Sequence, residues 1–237
     1  MKIYDISRRL QDAPVYPGDE SPEIRRVHSM AEGEIWNSSA ITMGSHSGTH
    51  ADAFSHFLSD GAAIDEMPLE AYCGPCRVLS VSAEELIRLD DLRGRIAGAE
   101  RIALHTGGNV YLCEQAASYL AECGVKLLVT DAVSVAPADN EAEVHKLLMS
   151  GGVAVVENAD LSAVPDGEYL IFAFPMKIGG CDGAPVRAVL LRADLPEDTE
   201  TEEAPAEEPA EAITEEGTEE PAAESAEEEP EAEKTEE

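Results

Sequence analysis

The sequence predicts one strand-rich α/β domain over residues 1–196, followed by a disordered acidic segment over residues 197–237. Short alternating or β-branched stretches recur between helical segments without a detectable repeat, which is typical of the α/β class. From residue 197 onward the chain holds twenty of its 49 acidic residues and a single large apolar residue, Ile213. Such a segment cannot bury enough apolar surface to offset its ordering entropy.

Charge and composition exclude several classes of function. Before the acidic segment, 29 acidic residues still face 15 basic ones, so the basic footprint that nucleic acid requires is absent. No stretch approaches the roughly 20 apolar residues that a membrane span needs. The opening MKIYDISRRL lacks the apolar core of a signal peptide, and the cysteine count of five is odd. We therefore expect a cytoplasmic protein with free thiols, no nucleic-acid partner and no membrane association.

The N-terminal part is predicted to consist mostly of strands. Residues 2–7 alternate apolar and polar side chains and predict the first strand. Pro17 and Gly18 indicate a turn. After it, residues 23–30 and 37–48 predict two strands of a hairpin-like meander.

The tetrapeptide CGPC, which begins at Cys73, matches a thiol redox motif. A redox pair of this kind ends a strand and opens a helix, whose N-terminus lowers the pKa of the first thiol. Here the alternating, β-branched RVLSVS follows and predicts a strand instead. We interpret the motif as a chance occurrence, so a thiol redox role for Cys73 and Cys76 is the weakest functional reading.

Helices and buried strands alternate in the second part of the domain. Residues 82–92 begin with a capping-box pair, Ser82 and Glu85, and predict an amphipathic helix. The later elements are predicted from apolar runs and glycine stops. They are a strand over 101–107, a helix over 113–124, a strand over 125–135 with Asp131 near its end, a helix over 141–150, a strand over 153–158, and two strands around the turn at 179–185.

The stretch HSGTHADAFSHF, which begins at His46, contains three of the six histidines of the chain. Ser47, Gly48 and Thr49 are mediocre to poor helix residues, so we expect an extended segment, in which the side chains of His46, His50 and Asp52 point the same way. Gly48 carries no side chain, so we expect room for an ion between the two imidazoles. Imidazole and carboxylate suit a borderline divalent ion such as zinc or manganese. The stretch therefore predicts a metal site, with His56 at its rim.

This stretch resembles the HxGTHxDxPxHF signature of the cyclase-like metal-dependent hydrolases, the group that contains kynurenine formamidase and isatin hydrolase. Further segments agree in the family's order over residues 3–193, namely VYPGD, HTG, TDAVSVAP, VHKLL, VVENADL and FPMKIGGCDGAPVRAV. The chain departs from the signature where Phe54 replaces the proline and Ala51 replaces a β-branched residue. We expect Phe54 to reshape the pocket wall.

The resemblance implies a swivelling β/β/α-type fold with one or two divalent ions, Zn²⁺ or Mn²⁺. The positions that match the family's ligands are His46, His50, Asp52, His145 and Glu157. His56 matches the histidine that the family uses in proton transfer. Without the resemblance, His145 and Glu157 would be interpreted as an ordinary helix histidine and a solvated strand-end carboxylate.

The implied activity is hydrolysis of a carbon–nitrogen amide bond in a small molecule by metal-activated water. The first substrate expected is N-formyl-kynurenine, cleaved to kynurenine and formate as by an arylformamidase. A hydrolase of cyclic amides such as isatin, or another cyclase-like enzyme, is the alternative within the same class. A metal-binding protein without catalysis is the alternative from a different class. The resemblance also implies a homo-oligomer.

Overall fold

The computed structural model describes residues 1–192 of the chain, and strands dominate them. The strands are β1 (Lys2–Asp5), β2 (Glu23–His28), β3 (Ser38–Thr42), β4 (His50–Asp52), β5 (Cys73–Ser80), β6 (Leu86–Ile87), β7 (Arg101–His105), β8 (Tyr111–Leu112), β9 (Leu127–Thr130), β10 (Ala154–Glu157), β11 (Gly167–Phe172), β12 (Gly183–Pro185) and β13 (Val189–Arg192). The helices are α1 (Leu89–Leu92), α2 (Glu114–Glu122) and α3 (Glu141–Ser150). The acidic segment predicted over 197–237 lies outside the described residues, so its disorder and the boundary at residue 196 stay predictions.

Nine strands form one mixed sheet in the order β1-β13-β11-β5-β7-β9-β10-β4-β12. The four middle strands β5, β7, β9 and β10 run parallel to one another. The strands on both flanks pair antiparallel. This arrangement, with few helices, confirms the predicted strand-rich α/β class.

The parallel strands are buried on both faces because apolar side chains cover each side of the sheet. All four residues of β9 are buried, and they alternate between two hydrophobic clusters. Leu127 and Val129 face the cluster that contains Tyr72 and Ile171. Leu128 faces the cluster to which α2 and α3 contribute their apolar stripes. The sheet is thereby a rigid support for residues at its edge.

Strands β2 and β3 pair antiparallel as a separate two-stranded ribbon, which confirms the predicted hairpin-like pair. Most of its residues are exposed. Within residues 1–192, the helices are too short or too polar to span a bilayer.

The helix predicted over residues 82–92 is wrong. Leu86 and Ile87 form β6, which pairs in parallel with β8, and the helix that follows is the single turn α1. Ile87 is buried in the cluster beneath α2. The segment therefore buries its apolar residues as a strand that pairs with residues about 25 positions along the chain. A local helical pattern cannot reveal such a pairing.

Candidate metal centre

Two neighbouring antiparallel strands bring three ligating side chains together. In the pairing of β4 with β10, Glu157 lies opposite His50, and Val155 lies opposite Asp52. Directly opposed residues share a face, and so do residues two apart on one strand. The side chains of His50, Asp52 and Glu157 therefore converge, and all three are buried.

Helix α3 adds a fourth buried group to this face. The Nε2 atom of His145 lies 3.2 Å from Oε1 of Glu157 and 3.5 Å from Oδ2 of Asp52. Its Nδ1 atom donates to the carbonyl oxygen of Glu141 at 2.8 Å. In the same way, Nδ1 of His50 donates to the carbonyl oxygen of Gly48 at 2.9 Å.

A carbonyl oxygen only accepts hydrogen bonds, so it fixes the proton of each neutral ring on Nδ1. The Nε2 lone pairs of His50 and His145 are then free to bind a cation. Both atoms face the carboxylates of Asp52 and Glu157. This is the tautomer that a metal-ligating histidine requires.

His46 reaches the cluster from a bent loop, so the prediction of one extended segment from His46 to Asp52 is wrong. The backbone turns between His46 and Thr49, and the strand begins at His50. Gly48 has a φ of +70°, a left-handed conformation that favours glycine. The Nδ1 atom of His46 nevertheless lies 3.0 Å from Oδ1 of Asp52.

The predicted role of Gly48 is also wrong. A Cβ at Gly48 would lie 3.2 Å from Cδ1 of Leu10, so its missing side chain gives space to Leu10 and not to an ion. The glycine that gives space to the His46 ring is Gly183, where a Cβ would lie 2.7 Å from Cε1 of His46. A glycine far along the chain therefore admits this imidazole.

His56 occupies the rim, as expected, at the end of a single 3-10 turn that begins at Phe54. Its ring lies 4.1 Å from the His46 ring, centroid to centroid, and its side chain is 30% exposed. Burial lowers the pKa of His56, so its imidazole is neutral near pH 7. A neutral, partly exposed imidazole beside the cluster can accept a proton.

Asp182 also faces His46 and His56, although no local sequence pattern singles it out. Its Oδ2 atom lies 3.3 Å from Nε2 of His46 and 3.4 Å from Nδ1 of His56. Burial alone would raise the pKa of the Asp182 carboxyl, but the Ser45 hydroxyl and the His46 imidazole lower it. The available signal was its position inside GGCDGAPVRAV, one of the segments that resemble the family.

The buried carboxylates strongly favour protons on the two deeper histidines. Burial alone would lower the pKa of His50, but Asp52 and Glu157 overcome this effect and raise it to about 10. The same balance raises the pKa of His145 to about 11. Although burial opposes it, the histidines lower the pKa of Asp52 and of Glu157. Negative charge is therefore concentrated at this point and attracts protons or another cation.

The donor set fits a divalent ion. Among residues 1–192, Nε2 of His50 and Oδ2 of Asp52 are buried without a hydrogen-bond partner, which is costly unless something else binds them. The ligating atoms of His50, Asp52 and Glu157 lie within 4.8 Å of one another, and so do those of His46, Asp52 and His56. Asp52 belongs to both groups, so its carboxylate is suited to contact one ion or to bridge two.

A cavity of about 210 Å³ opens onto the cluster. Tyr16 and Phe57 line it together with His56. The Tyr16 hydroxyl donates to Oε2 of Glu141 at 2.8 Å. Phe54, which was expected to reshape the pocket wall, packs against the hydrophobic core instead.

Comparison with known proteins places the chain in a family. The Cyclase family model matches residues 4–137. Kynurenine formamidase of Bacillus cytotoxicus is 33% identical over 199 residues, which cover 78% of this chain and 95% of that protein. Kynurenine formamidase of Delftia acidovorans is 34% identical over 202 residues, which cover 80% and 97%. The chain belongs to the Cyclase family.

Solved structures agree with this membership of the Cyclase family. A potential metal-dependent hydrolase with cyclase activity has a TM-score of 0.70 at 29% identity, and the match covers 80% of this chain and 96% of that one. Isatin hydrolase A from Labrenzia aggregata has a TM-score of 0.68 at 22% identity, with 80% and 93% covered. At that identity the second likeness concerns the fold alone.

In this Cyclase family member, the structure brings together all six side chains that match the family's ligand and proton-transfer positions. They are His46, His50, Asp52, His56, His145 and Glu157. Asp131, near the end of the strand predicted over 125–135, is not part of this cluster and accepts hydrogen bonds from the backbone of Thr106 and Gly107. That carboxylate holds a loop, which is a structural role.

Proposed function

We propose that this member of the Cyclase family is a metal-dependent hydrolase of a carbon–nitrogen amide bond, acting as an arylformamidase on N-formyl-kynurenine. The observation that carries the proposal is the 33–34% identity with kynurenine formamidases over 95% or more of their length. The buried histidine and carboxylate cluster beside a cavity supplies a suitable place for the metal.

The residues proposed to hold the metal are His46, His50, Asp52, His145 and Glu157. Zn²⁺ and Mn²⁺ both suit this mixture of imidazole and carboxylate donors, as one ion or two. When bound, a divalent ion supplies Lewis-acid activation of water and of the substrate carbonyl. The two carboxylates, Asp52 and Glu157, balance part of that positive charge at a buried position.

His56 is proposed to move the proton. In the reaction the carbonyl carbon gains the water oxygen, the carbon–nitrogen bond breaks, and the arylamine nitrogen leaves with a proton. Because burial lowers the pKa of His56, the neutral ring accepts a proton from water and delivers it to the leaving nitrogen. Its place at the rim of the cavity suits contact with both water and substrate.

A substrate panel tests this proposal. Metal-loaded protein is assayed with N-formyl-kynurenine, simple formanilides and isatin, with chelator-treated protein as the control. We expect N-formyl-kynurenine to give the highest kcat/KM and the chelated protein to be inactive. Turnover of isatin without turnover of the formamides would move the assignment to a cyclic-amide hydrolase. Tight metal binding without turnover of any of the three would favour a non-catalytic metal protein.

A homo-oligomer is part of the same proposal. The β2–β3 ribbon exposes large apolar side chains, with Ile35 80% and Trp36 50% exposed in its connecting loop. Exposed apolar side chains grouped on one element are typical of protein–protein contacts. Light scattering of the purified chain measures the oligomeric state directly, and a monomer at micromolar concentration would contradict the proposed homo-oligomer.

The cytoplasmic location likewise stays a prediction.

A further inference from the structure

Asp182 lies where a single carboxylate can hold two imidazoles. Its Oδ2 atom is 3.3 Å from Nε2 of His46 and 3.4 Å from Nδ1 of His56. The two rings lie 4.1 Å apart and are inclined by 31°. Oδ2 of Asp182 is at hydrogen-bond distance from the His46 ring, and its second lone pair faces the His56 ring at ion-pair distance.

The carboxylate is itself held in place. The Ser45 hydroxyl donates to Oδ1 of Asp182 at 2.9 Å, which leaves Oδ2 to the histidines. The carbonyl oxygen of Asp182 accepts a hydrogen bond from the amide of Ala53 at 2.9 Å. The next residue, Gly183, pairs with Asp52 in the sheet. The position of Asp182 is therefore tied directly to the strand that carries the proposed ligands.

These contacts hold Nε2 of His46 and Nδ1 of His56 toward the same carboxylate oxygen. A proton on Nε2 of His46, donated to Asp182, leaves Nδ1 facing Asp52 with a free lone pair. Nδ1 of His56 faces the same oxygen, so a proton that the carboxylate favours on Nδ1 leaves Nε2 as the proton acceptor. A carboxylate behind a ligating histidine sets its tautomer and raises its basicity.

We propose that Asp182 is a positioning residue that orients the proposed ligand His46 and the proposed proton carrier His56 through one carboxylate oxygen. This inference rests on the proposed function and assigns Asp182 a role that acts through the two imidazoles it faces. Its effect is to keep the ligand and the proton carrier in fixed relation to each other.

The chain offers a matched control in Asp65. Its Oδ1 atom accepts a hydrogen bond from the amide of Gly180 at 2.8 Å, so it holds the same loop as Asp182 from another side. Asp65→Ala loosens this loop without removing the carboxylate that faces the imidazoles. Any effect of Asp182→Ala beyond that of Asp65→Ala belongs to the contacts with His46 and His56. The Asp182 side chain is 48% exposed, so its truncation leaves the core intact.

The experiment compares wild type, Asp182→Ala, Asp182→Glu and Asp65→Ala. Cobalt titration of the metal-free proteins, followed by absorbance, gives metal affinity without any substrate. For Asp182→Ala we expect affinity to fall about 10–100-fold, as for other partners of ligating histidines. In fully loaded enzyme we expect kcat on N-formyl-kynurenine to fall by a similar factor, with KM within about twofold. Asp182→Glu should recover part of both losses, and Asp65→Ala should match wild type.

Nitrogen-15 spectra of histidine-labelled, zinc-loaded protein add a readout that does not depend on turnover. We expect the Nδ1-protonated form of His56 in wild type and a mixture of tautomers in Asp182→Ala. The inference is overturned if Asp182→Ala matches Asp65→Ala in cobalt affinity and in the His56 tautomer. An increase in KM with unchanged kcat would instead make Asp182 a substrate-binding residue. If wild type hydrolyses no formamide, the proposed function fails while the cobalt and tautomer measurements still decide the role of Asp182.

Discussion

Two stretches of this chain resemble functional motifs, but only one of them, HSGTHAD, forms a cluster of potential ligands in the structure. In HSGTHAD the histidines and the aspartate converge, and buried ligating atoms of His50 and Asp52 lack hydrogen-bond partners among residues 1–192. In CGPC all four residues lie inside β5, in the middle of the sheet. Burial raises the pKa of the Cys76 thiol to about 12, so it is not a reactive thiolate near pH 7.

The structure also explains why position 74 of the CGPC segment is a glycine. Gly74 has a φ of +132°, and a Cβ there would lie 2.7 Å from Nη1 of Arg101. The buried Arg101 guanidinium donates to the carbonyl oxygens of Ala71 and Glu70. The two stretches therefore differ in one property. HSGTHAD contains buried polar atoms without a hydrogen-bond partner among residues 1–192, which are available to bind an ion, and CGPC does not. The predictions below test that difference.

The largest expected effect is that of His50→Ala. His50→Ala removes one of the two imidazoles that face both Asp52 and Glu157 and leaves these carboxylates buried with fewer partners, so metal and activity should be lost together. Plasma emission of the dialysed variant measures the metal, and the formamide assay measures the rate. Full metal content in this variant would remove His50 from the ligand set.

His56→Ala should lower the catalytic rate without lowering the metal content. We expect metal content equal to wild type and a kcat about 10²–10⁴-fold lower, which is the usual contribution of a general acid–base residue. The same two assays apply, with Asp65→Ala as a control for changes near the rim. A wild-type rate would end the proton-transfer role, and loss of metal would make His56 a ligand, as the grouping of its ring with His46 and Asp52 allows.

Different pH dependence of stability is expected for the metal-free and the metal-loaded protein. The pKa values of His50 and His145 are raised to about 10 and about 11, above about 6.5 in the unfolded chain. Their protonation stabilises the metal-free fold fully below pH 6.5, and this stabilisation is lost as the pH rises toward 10. The upper limit is about 1.4 kcal/mol per pH unit for each histidine. Metal requires neutral imidazoles, and above about pH 6.5 these histidines are neutral in the unfolded chain too, so the stability of the loaded protein should change little over the same range.

Thermal unfolding between pH 6.5 and 9.5, with and without chelator, measures both slopes. Equal slopes in the two forms would mean that metal and protons do not compete for the same histidines.

Gly74→Ala should act on stability alone. A side chain at this φ costs about 1–3 kcal/mol, and displacing the buried Arg101 guanidinium adds the loss of its hydrogen bonds. Gly33→Ala is the matched control, because Gly33 has a φ of +95° and nothing within 4 Å of a Cβ. Urea unfolding should show Gly74→Ala to be the less stable variant, with metal content unchanged. Equal stability would contradict the role assigned to Gly74.

Cys73→Ser should have the smallest effect. A strand cysteine without a catalytic role predicts kcat/KM within about twofold of wild type, measured with and without reducing agent. A loss of activity that depends on the redox state would restore CGPC as a functional motif.

Much of the fold could be predicted from local patterns. Helix α3 was predicted with its observed bounds, Glu141–Ser150, because a polar start and a glycine stop frame one amphipathic run. The helix predicted over 82–92 failed because the pairing of Leu86 and Ile87 with a distant strand decides that segment. Non-local pairing leaves no trace in a short window of sequence.

The site residues also fall into two groups, those that are close in sequence and those that non-local strand pairing brings together. His46, His50 and Asp52 attract attention because they are close in sequence. Glu157 joins them through the register of β10 against β4, and no local pattern encodes that register. Asp182 was missed for the same reason, since it reaches the cluster through the pairing of β12 with β4. The family resemblance predicts His145 and Glu157 as ligands because it compares segments along the whole domain and not only neighbouring residues.

The central claim is that the buried side chains around Asp52 form a metal centre. Anomalous diffraction at the zinc or manganese edge, from crystals of the metal-loaded protein, tests it most directly. We predict a peak about 2.0–2.2 Å from Nε2 of His50 and from a carboxylate oxygen of Asp52, in one position or in two positions that share Asp52. A loaded protein with no peak at these atoms, or with its ion at Cys73, would contradict the account.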